Sequence, residues 1–166
     1  GKWTTYRKMA MDTVDKALNC FSLSAPIPTC QTEQLPILGG ADYNEDGDQT
    51  MTEKYGFASD IATYLHRTYG DQAEQVAQLA EPHKGIRLVK NHPILEAEII
   101  YAVRHEMAER VIDVLARRTP LARLDITATR LAVPRVLEIM ADELGWDQQR
   151  CEEELLLTEK RLTEGL

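Results

Sequence analysis

At 166 residues, 43% of them hydrophobic and 28% charged, the chain has the size and make-up of one globular domain able to bury a substantial core. Its formal net charge of −8 argues against nucleic-acid binding by general electrostatics, and no apolar run approaches the roughly 20 residues that span a bilayer. Cys20, Cys30 and Cys151 form no CxxC pair, and their odd number speaks against a disulfide framework and for a reducing compartment.

The chain opens Gly1-Lys2-Trp3-Thr4-Thr5-Tyr6-Arg7 and runs on to about Cys20 with Tyr6, Ala10, Val14 and Leu18 at helical spacing. Consecutive threonines ahead of a helix are a capping signal. A lysine beside them adds to the positive end of the helix dipole, so Lys2, Thr4 and Thr5 make a candidate anion-facing site. Gly1 permits close backbone approach. A motif this far forward reads as the downstream edge of a site in a longer protein.

Pro26, Pro28, Pro36, Gly39 and Gly40 mark a long connecting loop, expected over residues 21–58. Inside it, residues 42–53 satisfy the EF-hand calcium template, with Asp42, Asn44, Asp46, Asp48 and Glu53 as ligands and Gly47 at the turn. The context opposes that reading. Pro36, Gly39 and Gly40 forbid an ordinary entering helix, Gln49 replaces the usual apolar residue, and the bland alternative is a solvated acidic loop.

Helices dominate residues 59–166. Ser59 starts one that runs to about Tyr69 and ends at Gly70. Asp71 and Glu74 have capping-box spacing for the next, which Pro82 stops. The strongest segment spans Pro93 to Arg118, with Leu95, Ile99, Ala102, Val103, Met107, Val111 and Leu115 in one stripe and further apolar residues widening it. A helix apolar over so much of its girth is expected at the centre. Asp125 caps a following helix, Pro134 is expected to break or restart it, and Gly145 ends it. Asp147 caps the last. Ile86 to Val89 is the one candidate for an extended piece. The expected fold is all-α, with about seven or eight helices and a long loop after the first.

Seven arginines fall between 104 and 135, against Glu106, Glu109, Asp113 and Asp125 in the same window. Pairings such as Glu106 with Arg110 or Asp113 with Arg117 make a structural role the favoured one. His92 with Glu96 and His105 with Glu109 sit four apart, but neither pair has a third metal ligand. No GxGxxG, Walker loop, GxSxG or HExxH occurs.

Four stretches in order carry a resemblance: GKWTTYRKMA at 1–10, YGDQAEQV at 69–76, LEAEIIYAVRHEMAERVIDVLARRT at 95–119 and RVLEIMADELGWD at 135–147. Together the chain resembles the C-terminal region of FAD-dependent glycerol-3-phosphate dehydrogenases, a superfamily that includes alpha-glycerophosphate oxidases. It departs from the family at 31–58 and at Pro120. The resemblance implies that residues 1–20 are the edge of an FAD-binding domain and 59–166 a helical C-terminal domain. It implies a parent enzyme that oxidises sn-glycerol 3-phosphate to dihydroxyacetone phosphate and passes electrons to quinone or oxygen. Gly1, Lys2, Thr4 and Thr5 would then lie beside flavin, with Lys2 near substrate phosphate. The catalytic base would lie elsewhere, and this stretch alone is expected to be inactive and flavin-free. The family implies peripheral association with a membrane, on the cytoplasmic side in a bacterium or at the inner mitochondrial membrane. Two further readings are a calcium-responsive module built on 42–53 and a docking or homodimer surface around Arg117 and Arg118.

Overall fold

Apolar steps of three and four close into helices along most of the chain, and the computed structural model is all-α; it describes residues 2–21, 30–81 and 85–165. Two units divide it, Gly1–Ile37 and Leu38–Leu166. In the first, a 3₁₀ turn over Trp3–Thr5 leads into α1, Tyr6–Phe21, which has no buried residue. Pro26 and Pro28 lie outside the described residues.

The second unit begins with α2, Gly47–Tyr55, a helix in a stretch expected to be loop. Next come α3, Ser59–Tyr69, and α4, Ala73–Ala80. A short antiparallel bridge pairs Arg87 with Leu95, where the extended piece at Ile86–Val89 was anticipated. It leads to α5, Glu96–His105. After it come α6, Val111–Asp113, which runs on as a π-helical turn over Val114–Arg118, and α7, Leu121–Leu124. The long helices α8, Ile126–Leu144, and α9, Gln148–Glu164, complete the order. Asp125 and Asp147 cap these two, accepting from the amides of Ala128 and Arg150, and Gly145 ends α8 in the left-handed conformation (φ 66°).

Helix α5 is central, as its girth of apolar residues implies. Its Tyr101 and Ala97 join a core made with Leu65, Tyr69 and Val76 of α3 and α4. Its Ile99 and Ala102 join a second core with Val111, Leu115, Val136 and Met140. The segment 93–118 is nevertheless two helices and not one. Met107 has a left-handed backbone (φ 54°) and is 84% exposed instead of lying on the stripe. The amide of Ala108 donates back to the Ala102 carbonyl across it. The new start is held by carboxylates: Asp113 accepts from the amides of Glu109 and Arg110, and buried Glu154 of α9 accepts from that of Val111 (3.3 Å). Side-chain acceptors satisfy amides that a continuous helix would have paired internally.

Pro134 does not break α8. It lies on the exposed face, while Ala132, Val133, Val136 and Met140 pack on the other side. The bond lost at proline is the one facing water, and burial of the opposite face holds the helix together. The Asp71–Glu74 capping box is also absent. Asp71 instead accepts from the amide of Asp42 (2.9 Å), a long-range contact. Pro82 lies outside the described residues.

Beside that contact two glycines cross. The amide of Asp71 donates to the Gly39 carbonyl (3.0 Å), and a Cβ on Gly70 would sit 1.9 Å from that oxygen. Gly70 and Gly39 both have positive φ (57° and 88°). We expect Gly70→Ala to lower stability by at least ~2 kcal/mol in urea unfolding. Gly56→Ala, at φ 69° with nothing within 4 Å of the added carbon, should cost only about 1 kcal/mol. Glu154 is 1% exposed and also meets Arg150 at 2.8 Å, so Glu154→Leu, which strands the Val111 amide, should cost about 2–4 kcal/mol in the same measurement.

Candidate functional site

Lys2 is extended (φ −112°, ψ 135°) and stands at the N-cap of the Trp3–Thr5 turn that α1 continues. The threonines do not cap it with their side chains: the Thr5 hydroxyl turns back to the Lys2 carbonyl (3.3 Å). The amide of Thr5 makes the first bond of the turn to the same carbonyl (3.1 Å). Lys2, Trp3, Thr4 and Thr5 are all exposed, Trp3 to 91%. Among the described residues no carboxylate pairs with the Lys2 ammonium. The structure therefore brings Lys2, Thr4 and Thr5 together on one turn at the positive end of a 16-residue helix. Gly1 lies outside the described residues. Behind this turn, Tyr6, Ala10, Val14 and Leu18 of α1 line an apolar groove of about 480 Å³ with Leu35 and Ile37.

The geometry lends the calcium reading of 42–53 no support. The helix begins at Gly47, the sixth position of the template, so Asp48 lies on α2 and not on a loop curled around an ion. Asp48 accepts from the Thr63 hydroxyl (3.2 Å), Asn44 accepts from the amide of Asp46 (3.2 Å), and Asp42 uses its amide on Asp71. Among the described residues no three His, Cys, Asp or Glu side chains are grouped to hold a metal ion. His92 meets Asp125 (3.4 Å), and His105 stacks on Tyr101.

Six of the seven arginines, all but the exposed Arg123, are engaged internally, in the structural role expected. Arg104 grips Glu143 (2.6 and 2.7 Å) and Arg135 grips Glu96 (2.8 and 2.7 Å), both with two nitrogens, tying α5 to α8. Arg117 pairs with Asp113, as anticipated. Arg118 donates twice to the Glu106 carbonyl (3.0 and 2.6 Å) and so holds the turn after α5. Arg110 faces Glu154 (3.7 Å) and not Glu106.

Two buried carboxylates escaped the sequence reading. Glu154 is described above. Glu98 is fully buried in α5 and accepts from the Tyr69 hydroxyl (2.7 Å), the Tyr64 hydroxyl (3.0 Å) and the Leu95 amide (2.7 Å). The available signal was a glutamate flanked by alanine and two isoleucines inside the most apolar run of the chain.

The fold is an all-helical unit with an exposed, lysine-bearing helix start ahead of it. A family model described as the C-terminal domain of alpha-glycerophosphate oxidase matches residues 30–151. The mitochondrial glycerol-3-phosphate dehydrogenase of Mesocricetus auratus is 42% identical over 161 residues, covering 93% of this chain and 22% of that protein. A probable mitochondrial glycerol-3-phosphate dehydrogenase of Dictyostelium discoideum is 40% identical over 156 residues, covering 93% of this chain and 24% of that protein. The solved glycerol-3-phosphate dehydrogenase of Bacillus halodurans, complexed with FAD, superposes with a TM-score of 0.77 at 25% identity, covering 98% of this chain and 34% of that one. The chain therefore belongs to the family of C-terminal domains found in FAD-dependent glycerol-3-phosphate dehydrogenases and alpha-glycerophosphate oxidases. It spans about a quarter of the length of the mitochondrial relatives it matches.

With the acidic side chains of 42–53 dispersed, millimolar calcium should leave the thermal midpoint of this chain unchanged relative to EDTA. A reversible upward shift would restore the calcium reading.

Proposed function

We propose that this chain is the C-terminal part of an FAD-dependent dehydrogenase that oxidises sn-glycerol 3-phosphate to dihydroxyacetone phosphate. The observation that carries the proposal is the 42% identity over 161 residues, 93% of this chain, to a protein named for that activity. Residues 1–20 form the edge of the FAD-binding domain, and the helical domain extends upstream of 59–166 to take in α2, so that the connection expected over 21–58 is shorter. The quinone or oxygen that reoxidises the enzyme, and peripheral attachment to a membrane, come with the family. Among the described residues no helix is long and apolar enough to cross a membrane.

The residues present fit a flavin at this edge. Lys2 is extended, exposed and without a carboxylate partner among the described residues, at the start of a helix whose dipole points its positive end the same way. Bound FAD supplies the acceptor for the hydride that leaves C2 of the substrate. Lys2 would supply a positive charge to such a group, for the negative charge of a reduced flavin or of the substrate phosphate. Thr5 holds the turn through its hydroxyl and amide on the Lys2 carbonyl, and with Thr4 and Gly1 it would supply backbone polar groups to a bound flavin. The base that takes the hydroxyl proton belongs to the remainder of the enzyme.

The test uses the full-length protein, mixed without oxygen with glycerol 3-phosphate while the oxidised flavin band is followed. Wild type should bleach. Lys2→Met should retain flavin and bleach about 10²–10³-fold more slowly. Equal rates in the two would leave the activity standing and make Lys2 structural. A flavin-loaded wild type that does not bleach would overturn the substrate assignment.

A further inference from the structure

Glu98 is a carboxyl group that none of this chemistry uses. It lies at the seam of the two cores, with 0% exposure, one turn into α5. Its three partners are neutral donors, the phenols of Tyr64 and Tyr69 and the amide of Leu95. Among the described residues no lysine or arginine comes within ion-pair distance of it. A buried carboxylate without a counter-charge is strongly disfavoured, and hydrogen bonds recover only part of the lost hydration.

The surroundings reinforce this. From α3 it meets only phenols, whose own ionisation is pushed upward by burial and by Glu98, so they stay donors. After α5 comes Glu106, a like charge, itself raised by burial and only partly offset by Arg118 at 3.9 Å. Tyr101 packs edge-on to Tyr69 and stacks on the exposed His105. The charges that α8 brings to α5 are spent on Glu96 and Arg104, and Glu74 of α4 is held by Lys54 of α2. Burial first, then the nearby Glu106, push Glu98 up to about 7, against the pull of its three donors.

We propose that Glu98 is a proton-responsive latch between α3 and α5: it keeps its proton in the folded domain where exposed carboxylates have lost theirs, and ionising it loosens the seam between the cores. When protonated, its O–H donates to the Tyr64 oxygen while it still accepts from Tyr69 and Leu95, and the half-buried Tyr64 turns its own hydroxyl hydrogen toward solvent. When ionised, the same atoms enclose an uncompensated charge. Between about pH 4.5 and about pH 7 the folded chain holds a proton that the unfolded chain has released. The contribution of Glu98 to stability therefore falls as pH rises through that window and is level above it. The inference is independent of flavin and substrate.

Two measurements on this chain test it. In carbon NMR of carboxyl-labelled glutamate, assigned through bonds from the backbone amide, the Glu98 side chain should titrate near neutrality, after the exposed glutamates. A midpoint shared with them overturns the proposal. Thermal unfolding is then compared for wild type and Glu98→Gln, which preserves shape and stays neutral. The Tm of wild type relative to the variant should fall by several degrees from about pH 5 to about pH 8. A difference that does not change with pH overturns the latch. Where the variant fails to fold, the wild-type titration decides alone.

Discussion

Helix α5 is the constraint on which the rest of the second unit depends. A helix normally buries one face and leaves the other to water. This one buries both, giving Tyr101 and Ala97 to one core and Ile99 and Ala102 to the other. With Ala97, Ile99, Tyr101 and Ala102 all buried, the polar group among them, Glu98, must be satisfied inside the protein. Glu98 is served by two tyrosines and a backbone amide, and the charged Glu96 and Arg104 are gripped at the rim by Arg135 and Glu143 of α8. Apolar pressure sets the position of the helix, and the polar groups set its rotation.

The same crowding explains why α5 ends where it does. One helix running through to Arg118 would carry Val111, Leu115 and their neighbours along a straight axis. The turn at Met107 redirects the chain so that Val111, Val114 and Leu115 enter the second core, all at 0% exposure. The π-helical turn at 114–118 and the double donation of Arg118 to the Glu106 carbonyl fix that redirection. The arginine-rich stretch thus has a structural task, which fits its weak claim to a chemical one.

What the sequence made legible was local. Asp125, Gly145 and Asp147 act within one turn of themselves, and the structure has all three in the expected roles. The centrality of α5 followed from its own composition. The break at Met107 was hidden because its cause is distant: Glu154 reaches Val111 from 43 residues away. Asp71 was misread because the same residue type that caps a helix can also clasp a remote strand of backbone. Pro134 was misread because a proline's effect depends on which face of the helix it occupies. At the candidate site, the grouping of Lys2, Thr4 and Thr5 was legible from adjacency alone. The EF-hand match counted oxygen-bearing residues correctly, yet offsets carry no information on where a helix starts, and here α2 starts in the middle of the motif.

The crossing of Gly39 and Gly70 has a consequence for the acidic segment that follows it. The segment entering the second unit is moored by main-chain atoms, the Gly39 carbonyl against the Asp71 amide, with the Asp71 carboxylate on the Asp42 amide. Within residues 41–46, all of them exposed, the side-chain contacts are those of Tyr43, stacked on His66, and of Asn44, which accepts from the Asp46 amide. The carboxylates of Asp42, Glu45 and Asp46 make no contact in that mooring and stand in solvent, so a string of acidic residues that imitates a metal-binding signature sits on a segment whose position is fixed by backbone and by two neutral side chains.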